Sequence, residues 1–249
     1  MKRLVILLLT AILGMLGCMA QQDRRVQYKP YIDLRPMHFG ILIGAHLQDL
    51  EFENVGMQTI TDDNGNMTNQ LAVCDADRWS PGFSVGVLAE LRLHDNFSLR
   101  MSPTMHFGAK HLTFTDLQNT DATGKPLKQT QDLKNTYFSL PIDVKFAAPR
   151  WNNHRPYLMA GINPMINMTG GDQDIVRLKR FSTMVEVGLG CDFYLPFFKL
   201  IPELKFCFGL SNVLDKNHVN ELRDANLRAY AGSVSSAQSK MVVLTFYFE

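Results

Sequence analysis

The chain lacks several features by which common protein classes are recognised. After residue 20 no apolar run reaches the ~18 consecutive residues that a membrane-spanning helix requires. The 249 residues carry 25 Lys and Arg against 24 Asp and Glu, and no long run of like charge is present. Because nucleic-acid-binding proteins carry a basic patch or tail, we expect no nucleic-acid partner. Size and a hydrophobic content of 46% fit one domain.

Motifs of common catalytic and cofactor sites are missing as well. The chain has no P-loop, no GxGxxG between a strand and a helix, and no nucleophile elbow. The acidic stretch 62–66 is similar to a calcium loop, but it lacks the glycine and final glutamate of an EF-hand and is predicted to be a plain turn. We therefore predict no catalytic residues, cofactor, metal site or small-molecule substrate.

The first twenty residues predict a secretory signal peptide. Residues 1–3 are positively charged, 4–16 are apolar, and Ala20 ends a small-residue cleavage site, so the mature chain is expected to begin at Gln21. Lipoprotein cleavage before Cys18 is an alternative that the bulky residues preceding Cys18 disfavour. If Cys18 is removed, three cysteines remain, and an odd number does not imply a disulfide framework.

Residues 83–93 and 97–110 alternate apolar and polar side chains over unusual lengths. A period of two indicates β-strands, and each exceeds the usual length of about five to six residues. The three-residue turn 94–96 sets a register in which Glu90 faces Arg100 and Ser84 faces His106. One face is apolar and the other carries charges of both signs, which is typical of a membrane barrel.

Eight such strands are predicted along the chain. They cover residues 37–47, 83–93, 97–110, 136–146, 157–163, 183–193, 199–209 and 241–249. The connections alternate between long and short, and the long ones comprise residues 48–82, 111–135, 167–180 and 211–239. In an up-and-down outer-membrane barrel, long loops face outside and short turns face the periplasm. We expect all-β architecture with a signal peptide at 1–20, a periplasmic leader at 21–36, a transmembrane barrel at 37–249, and both termini in the periplasm.

The inner face of this barrel is predicted to be filled. An eight-stranded barrel leaves an interior just wide enough for side chains, and inner charges of both signs occur in equal numbers, which favours pairing over an open pore. The inner cations are Arg92, Arg100, Lys110, Lys145 and Lys205, and the inner anions are Glu90, Asp143, Glu186, Asp192 and Glu203. Phenylalanines near the ends of the outer face suggest an interfacial aromatic girdle in contact with outer-membrane lipid.

Some barrels of this size are enzymes, so inward hydroxyl and imidazole groups need consideration. Ser84 and His106 face each other in the register above and could touch, whereas no acid that would orient the histidine is placed by the sequence. His38 and His46 are separated by almost a full strand, so they predict no metal site. A lipid- or peptide-modifying enzyme using Ser84 and His106 remains an alternative.

Six segments resemble the PorT family of outer-membrane barrels from Bacteroidetes. They are SPGFSVG at 80–86, LRMSPTMHFG at 99–108, RPYL at 155–158, GCDFYLP at 190–196, PELKFCFGL at 202–210 and VLTFYFE at 243–249. The resemblance implies a non-enzymatic accessory of the type IX secretion system, needed for export of proteins with C-terminal sorting domains and acting through other secretion proteins. It brings no established catalytic residues. A generic structural or adhesive barrel is a further alternative.

Overall fold

The computed structural model describes residues 27–61, 67–76, 78–120, 125–169, 175–220, 222 and 225–249. The predicted signal peptide, Cys18 and the predicted turn at 62–66 lie outside the described residues. Within the described ranges, no helix is long and apolar enough to cross a membrane.

Nearly all regular structure in the described residues is antiparallel β-sheet. The strands are β1 Met37–Asn54, β2 Gln58–Thr61, β3 Met67–Gln70, β4 Ala72–Ala76, β5 Ser80–Arg92, β6 Phe97–Met101, β7 Thr104–Thr120, β8 Pro126–Ser139, β9 Ile142–Ala147, β10 His154–Asn167, β11 Phe181–Tyr194, β12 Lys199–Gly209 and β13 Val234–Phe248. Helix α1 is Ala225–Gly232, and short 3₁₀ turns span Ile32–Leu34 and Lys216–Asn220.

The strands close into a ring of eight. β1 pairs with β5 on one side and β13 on the other, while β6 with β7, and β8 with β9, each form one interrupted barrel strand. β10, β11 and β12 complete the ring back to β13. The predicted eight-stranded up-and-down barrel is confirmed, including the registers that place Glu90 opposite Arg100 and Ser84 opposite His106.

Two barrel strands that the sequence predicts as continuous are broken beside prolines. Proline has no N–H to donate to a sheet ladder, and Pro103, Pro141 and Pro164 stand on three neighbouring barrel strands. Their carbonyls still accept hydrogen bonds, from Val87 N–H to Pro103 at 3.1 Å and from Leu140 N–H to Pro164 at 3.0 Å. The ladder therefore loses donors at this level but keeps its register.

Three of the four predicted long loops are partly wrong, because β-strand continues far into them. β1 runs to Asn54, β7 and β8 extend through most of 111–135, and β13 begins at Val234. In these extensions the inward residues become apolar, as at Leu112 and Phe114, while the outward residues become polar. The alternation of side chains persists, but here the inner residues are apolar and the outer residues are polar. A prediction that requires polar residues on the inner face therefore ends these strands too early.

The ring has two distinct ends. The short-turn end carries the turns 93–96, 148–153 and 195–198 together with residues 27–36. The long-loop end carries the connections between β1 and β5, β7 and β8, β10 and β11, and β12 and β13, including α1. Strands of up to 18 residues exceed the roughly 9–11 that span a bilayer, and the excess projects at the long-loop end.

Candidate functional site

The lumen is crossed by a buried ion-pair network centred on Arg100. This side chain is fully buried; its Nη2 donates to Glu90 Oε2 at 2.7 Å, and its Nη1 pairs with Glu203. The guanidinium lies 5.1 and 5.0 Å from the ring centres of Tyr157 and Tyr247. Both tyrosine hydroxyls donate to Glu203. The arrangement satisfies a charge that would cost several kcal/mol if it were left unpaired.

Two lysines extend the network along the lumen. Lys145 Nζ lies 2.9 Å from Asp192 Oδ2, and Lys205 Nζ lies 2.9 Å from Glu186 Oε1 and 3.2 Å from Asp143 Oδ2. All five side chains are buried. The predicted pairing of inner charges is confirmed for these groups, and their side chains fill this part of the lumen.

Two of the predicted inner cations behave differently. Arg92 lies at the rim of the short-turn end, where it pairs with the exposed Asp95. Lys110 is buried, yet its ammonium has no hydrogen-bond partner within the described residues and lies 5.5 Å from the ring centre of Tyr137. The prediction of a paired lumen is therefore wrong for Lys110.

The sequence reasoning missed the ion pairs that close the barrel. Lys199 Nζ lies 3.0 Å from Glu249 Oε2, and the other oxygen of Glu249 pairs with His38. The backbone of Glu249 also exchanges two hydrogen bonds with Lys199, at 2.8 and 3.0 Å. Lys199 and Glu249 are the terminal residues of predicted strands and share the inner parity of those strands, so counting the terminal positions among the inner charges would have found them.

Small inner residues make room for large ones in the lumen. A side chain at Gly190 would collide with the ring of Tyr157, and one at Gly161 would collide with Asp143. Since packed interiors tolerate little added volume, these glycines allow tyrosines and charged groups to reach across the narrow lumen.

Ser84 and His106 touch, as the register predicts, and they belong to a longer chain of polar groups. Ser84 Oγ lies 2.7 Å from His106 Nδ1 and 2.8 Å from His46 Nδ1, and His106 Nε2 lies 3.0 Å from Ser139 Oγ. Hydroxyls, rather than a carboxylate, therefore stand at both nitrogens of His106. All four residues are buried in the lumen, so the Ser84 hydroxyl is not placed to meet a substrate.

Within the described ranges, no group of three or more His, Cys, Asp or Glu side chains is arranged to hold a metal ion. Cys191 and Cys207 are free thiols. Cys207 points inward and contacts Glu186, whereas Cys191, on the outward parity of β11, is only half-buried.

The long-loop end is closed by a hydrophobic cluster, here called the apolar cap. Its buried members are Leu50, Cys74, Leu112, Phe114, Leu133, Ile175, Val176, Leu178, Val213, Leu214, Leu222, Ala231, Val234 and Ala237. Tyr230 of α1 packs edge-on against Phe114, with ring centres 5.9 Å apart. The inward faces of β1, β7, β8 and β13 thus meet side chains from the connections in a small core of their own.

An ion pair joins two connections beside the apolar cap. Arg177 Nη2 donates to Asp215 Oδ2 at 2.9 Å. This hydrogen bond lowers the pKa of Asp215 below its ordinary value of 3.8. Lys179 Nζ donates to the carbonyl of Asn212 at 3.0 Å, which fixes the same two segments.

The short-turn end is covered by residues 27–36, here called the strap. The Tyr28 N–H donates to Asn153 Oδ1 at 2.8 Å, and the Tyr194 hydroxyl donates to Asp33 at 2.7 Å. Arg150 donates to the carbonyl of Lys29 at 3.1 Å and stacks 3.6 Å from the Tyr194 ring centre. This part of the predicted leader is thus packed against the barrel.

The strap and a neighbouring turn expose large apolar side chains. Tyr31 is 76% exposed, Leu34 is 61% exposed and Phe197 is 90% exposed. Apolar groups grouped at one end of a barrel provide a surface for contact with lipid or protein.

An eight-stranded antiparallel ring with an apolar exterior and an ion-paired interior defines a small outer-membrane β-barrel. The chain matches the family described as "Outer membrane protein beta-barrel domain" over residues 19–215 and belongs to that family. The protein is accordingly a resident of the outer membrane. A search of curated proteins found no match.

Solved structures of small outer-membrane barrels are similar at low identity. Ail, the attachment invasion locus protein of Yersinia pestis, is 11% identical, with 86% of this chain and 99% of that chain covered and a TM-score of 0.37. Neisserial surface protein A is 12% identical, with 86% and 98% covered and a TM-score of 0.40. OprG from Pseudomonas aeruginosa is 12% identical, with 84% and 91% covered and a TM-score of 0.39.

Proposed function

We propose that this barrel is a non-enzymatic accessory of the type IX secretion system, needed for export of proteins with C-terminal sorting domains. The observation that carries the proposal is the set of six segments resembling the PorT family, spread from residue 80 to residue 249. We propose the orientation of that family as well, with both termini and the strap in the periplasm and the long-loop end outside.

The filled lumen supports action through partners. Arg100, Lys145 and Lys205 are held across the interior by buried carboxylates, and opening the lumen would leave several buried charges unpaired. Cargo passage through this barrel is therefore unfavourable. A role in secretion would use its outer surfaces, where other proteins of the system bind.

Deletion of the gene in its own host tests this proposal. We expect proteins with C-terminal sorting domains to accumulate in the periplasm and to return to the cell surface when the intact gene is restored. Unchanged export, in cells whose outer membrane normally contains the barrel, would contradict the secretion role.

Crosslinking would then locate the partner-binding surface. A photoreactive residue at Phe197, which is 90% exposed in a short turn, should capture another secretion component if the short-turn end binds it. The matched control is Phe208, which is 51% exposed on the outer face of β12 and should contact lipid. Equal capture from both positions would argue against a specific surface at the short-turn end.

A structural or adhesive barrel is the second candidate. The apolar cap favours it, because this core holds the projecting strands as a firm surface at the long-loop end. In that case the deletion would leave export intact while reducing envelope integrity or attachment.

The enzyme alternative is tested by His106→Ala. A lipid- or peptide-modifying enzyme using Ser84 and His106 should lose its activity, whereas an accessory that acts through its surface should retain export. The burial of Ser84, at 1% exposure, supports the second outcome. Ser139→Ala is the matched control, since it removes the hydroxyl beside His106 Nε2 while keeping the Ser84 contact.

A further inference from the structure

A cavity of about 380 Å³ lies beside the apolar cap at the long-loop end. Its inner wall is formed by buried members of the apolar cap, namely Ile175, Val176, Leu214, Ala231 and Val234. Its edge reaches the surface at Val55, which is 54% exposed, and at the exposed Lys216. Pockets that bind small molecules have volumes of about 300–1,000 Å³ and mostly apolar walls, so this cavity has the size and the lining of a ligand site.

Backbone hydrogen bonds hold the walls of the cavity in place. The connection after β10 forms a β-bridge with the connection after β12, and beside this bridge the Asp215 N–H donates to the carbonyl of Arg177 at 2.9 Å. At the end of β1, the Val55 N–H donates to the carbonyl of Ser233, next to α1, at 2.8 Å. Because main-chain contacts fix these segments, the cavity belongs to the folded chain itself and does not require a ligand to form it.

The charged side chains that line the cavity carry more positive than negative charge. Arg177 and Asp215 form the ion pair described above, so the ammonium of Lys216 is the surplus charge. No carboxylate in the described part of the chain forms an ion pair with Lys216. His218, which is 1% exposed, adds a buried imidazole to the lining. An anionic group at the edge of the cavity would therefore meet a complementary charge next to an apolar interior.

The apolar wall and the volume together limit the class of ligand. A sugar or a nucleotide would bury polar groups against Val176, Val219 and Val234, and polar groups buried without hydrogen bonds are costly. The volume corresponds to about a dozen water-sized bodies of roughly 30 Å³ each. This is enough for a single alkyl chain of medium length, but not for a lipid with two long chains.

We propose that the cavity binds the single alkyl chain of an anionic amphiphile, either a medium-chain fatty acid or a single-chain phosphate lipid. The chain lies against the wall formed by the apolar cap, and the anionic head lies at the edge beside Lys216. Carboxylate and phosphate heads share this chemistry, so competition between ligands with the two heads distinguishes the sources.

Photolabelling of the whole barrel, refolded and transferred to amphipol, tests the site. The probe is decanoic acid with a diazirine at the end of its chain, and the labelled residues are mapped by mass spectrometry of peptides. We expect saturable labelling of the cavity wall at Val176, Val219 or Val234. Excess decanoate or decyl phosphate should remove this labelling, whereas decyltrimethylammonium, with the opposite head charge, should leave most of it.

The competitors also identify the source of the ligand. Competition by decanoate alone assigns the site to a fatty acid, and stronger competition by decyl phosphate assigns it to a phosphate lipid. Labelling confined to the outward residues of the barrel strands would overturn the proposal, because it would show only contact with the lipid-facing surface. Equal competition by the cationic amphiphile would overturn it as well.

Substitutions at the wall and at the edge provide the controls. Val219→Trp, in the turn Lys216–Asn220, fills the cavity and should abolish labelling of the wall. Leu127→Trp, at a 41% exposed position of β8 outside the cavity, should preserve it. If Val219→Trp does not fold, Val55→Trp obstructs the cavity from an exposed position. Unchanged labelling in a folded blocking variant contradicts the site.

Lys216→Gln tests the position of the head. This exposed residue can be replaced without disturbing the core, and the variant should still be labelled at the wall. Decyltrimethylammonium should then compete as well as decanoate does, because the charge that distinguishes them is gone. A preference for anionic competitors that persists in Lys216→Gln would contradict the placement of the head beside Lys216.

Discussion

The ion-paired lumen and the apolar cap are built from the same strands and the same inward parity, yet their chemistry is opposite. On β7 the inward residues change from His106 and Lys110 to Leu112 and Phe114 within a few positions. The outward residues change from apolar to polar instead. Phe107 faces outward on β7, whereas the exposed Lys134 and Asp132 face outward on the neighbouring strand β8. Strand alternation thus specifies only which face a residue joins, and the surrounding solvent determines which face is apolar.

The largest effect is expected from breaking the lumen at its centre. Arg100→Met leaves Glu90 and Glu203 buried without their main cation, which should cost about 3–5 kcal/mol of unfolding free energy. Urea unfolding of the refolded barrel measures this. Arg92→Met, at the rim, removes a pair with an exposed Asp95 and should cost at most about 1 kcal/mol. Similar costs for the two variants would show that the lumen network does not stabilise the barrel.

The apolar cap should respond to lost volume instead of lost charge. Phe114→Ala removes a fully buried ring and should cost about 3 kcal/mol, mostly as local opening of the long-loop end. Faster hydrogen exchange of β4 and α1, with the ladder between β11 and β12 unaffected, is the expected pattern. Leu117→Ala, at a 53% exposed position, is the control, and equal exchange in both variants would contradict a separate core.

A third variant compares hydroxyls within the lumen. Ser84→Ala removes the group that lies 2.7 and 2.8 Å from two imidazole nitrogens, and it should cost about 1–3 kcal/mol. Ser102→Ala removes a buried hydroxyl that has no hydrogen-bond partner in the described part of the chain and should be nearly neutral. Thermal unfolding of the two variants measures the difference, and a greater loss in Ser102→Ala would refute this assignment of the hydrogen bonds.

The smallest effect concerns pH at the long-loop end. Because Arg177 lowers the pKa of Asp215 below 3.8, the pair stabilises the two connections above that pH. This contribution, at most about 1 kcal/mol, is lost as the pH falls through the lower folded-state pKa. Hydrogen exchange at 175–180 and 210–216 should therefore rise only in acid.

Asp215→Asn should remove this acid dependence, while Asp132→Asn, at a side chain that is 71% exposed, should retain it. An unchanged acid response in Asp215→Asn would assign the pH dependence to another group.

Much of the barrel could be predicted because, within the membrane, alternate residues of each strand face either the lumen or the lipid. The registers of Glu90 with Arg100 and Ser84 with His106 follow from a three-residue turn. Pro103 and Pro141 are visible in the sequence and lack the N–H that a sheet ladder needs. They do not interrupt the alternation of apolar and polar residues, so a prediction from alternation alone misses the breaks beside them.

The functional surfaces were less predictable, for physical reasons. The apolar cap joins Leu50, Leu112 and Ile175 from distant connections, and no local period relates such residues. Lys110 stays outside the ion pairs of the lumen because the other cations engage the inner carboxylates. Counting the inner charges of each sign could not reveal which cation is left out. Arg150 and Asn153 hold the strap through hydrogen bonds to its backbone. Every residue has such backbone groups, so the sequence does not show where these contacts form.

The contacts of Glu249 with Lys199 and His38 also bear on how the barrel is assembled. His38 and Glu249 are 211 positions apart in the chain, so joining them closes the longest loop in the fold, with the associated entropic cost. Contacts of such large sequence separation form slowly. The hairpins of neighbouring strands should therefore form first, and pairing of β1 with β13 should be the late step that commits an open sheet to a closed barrel.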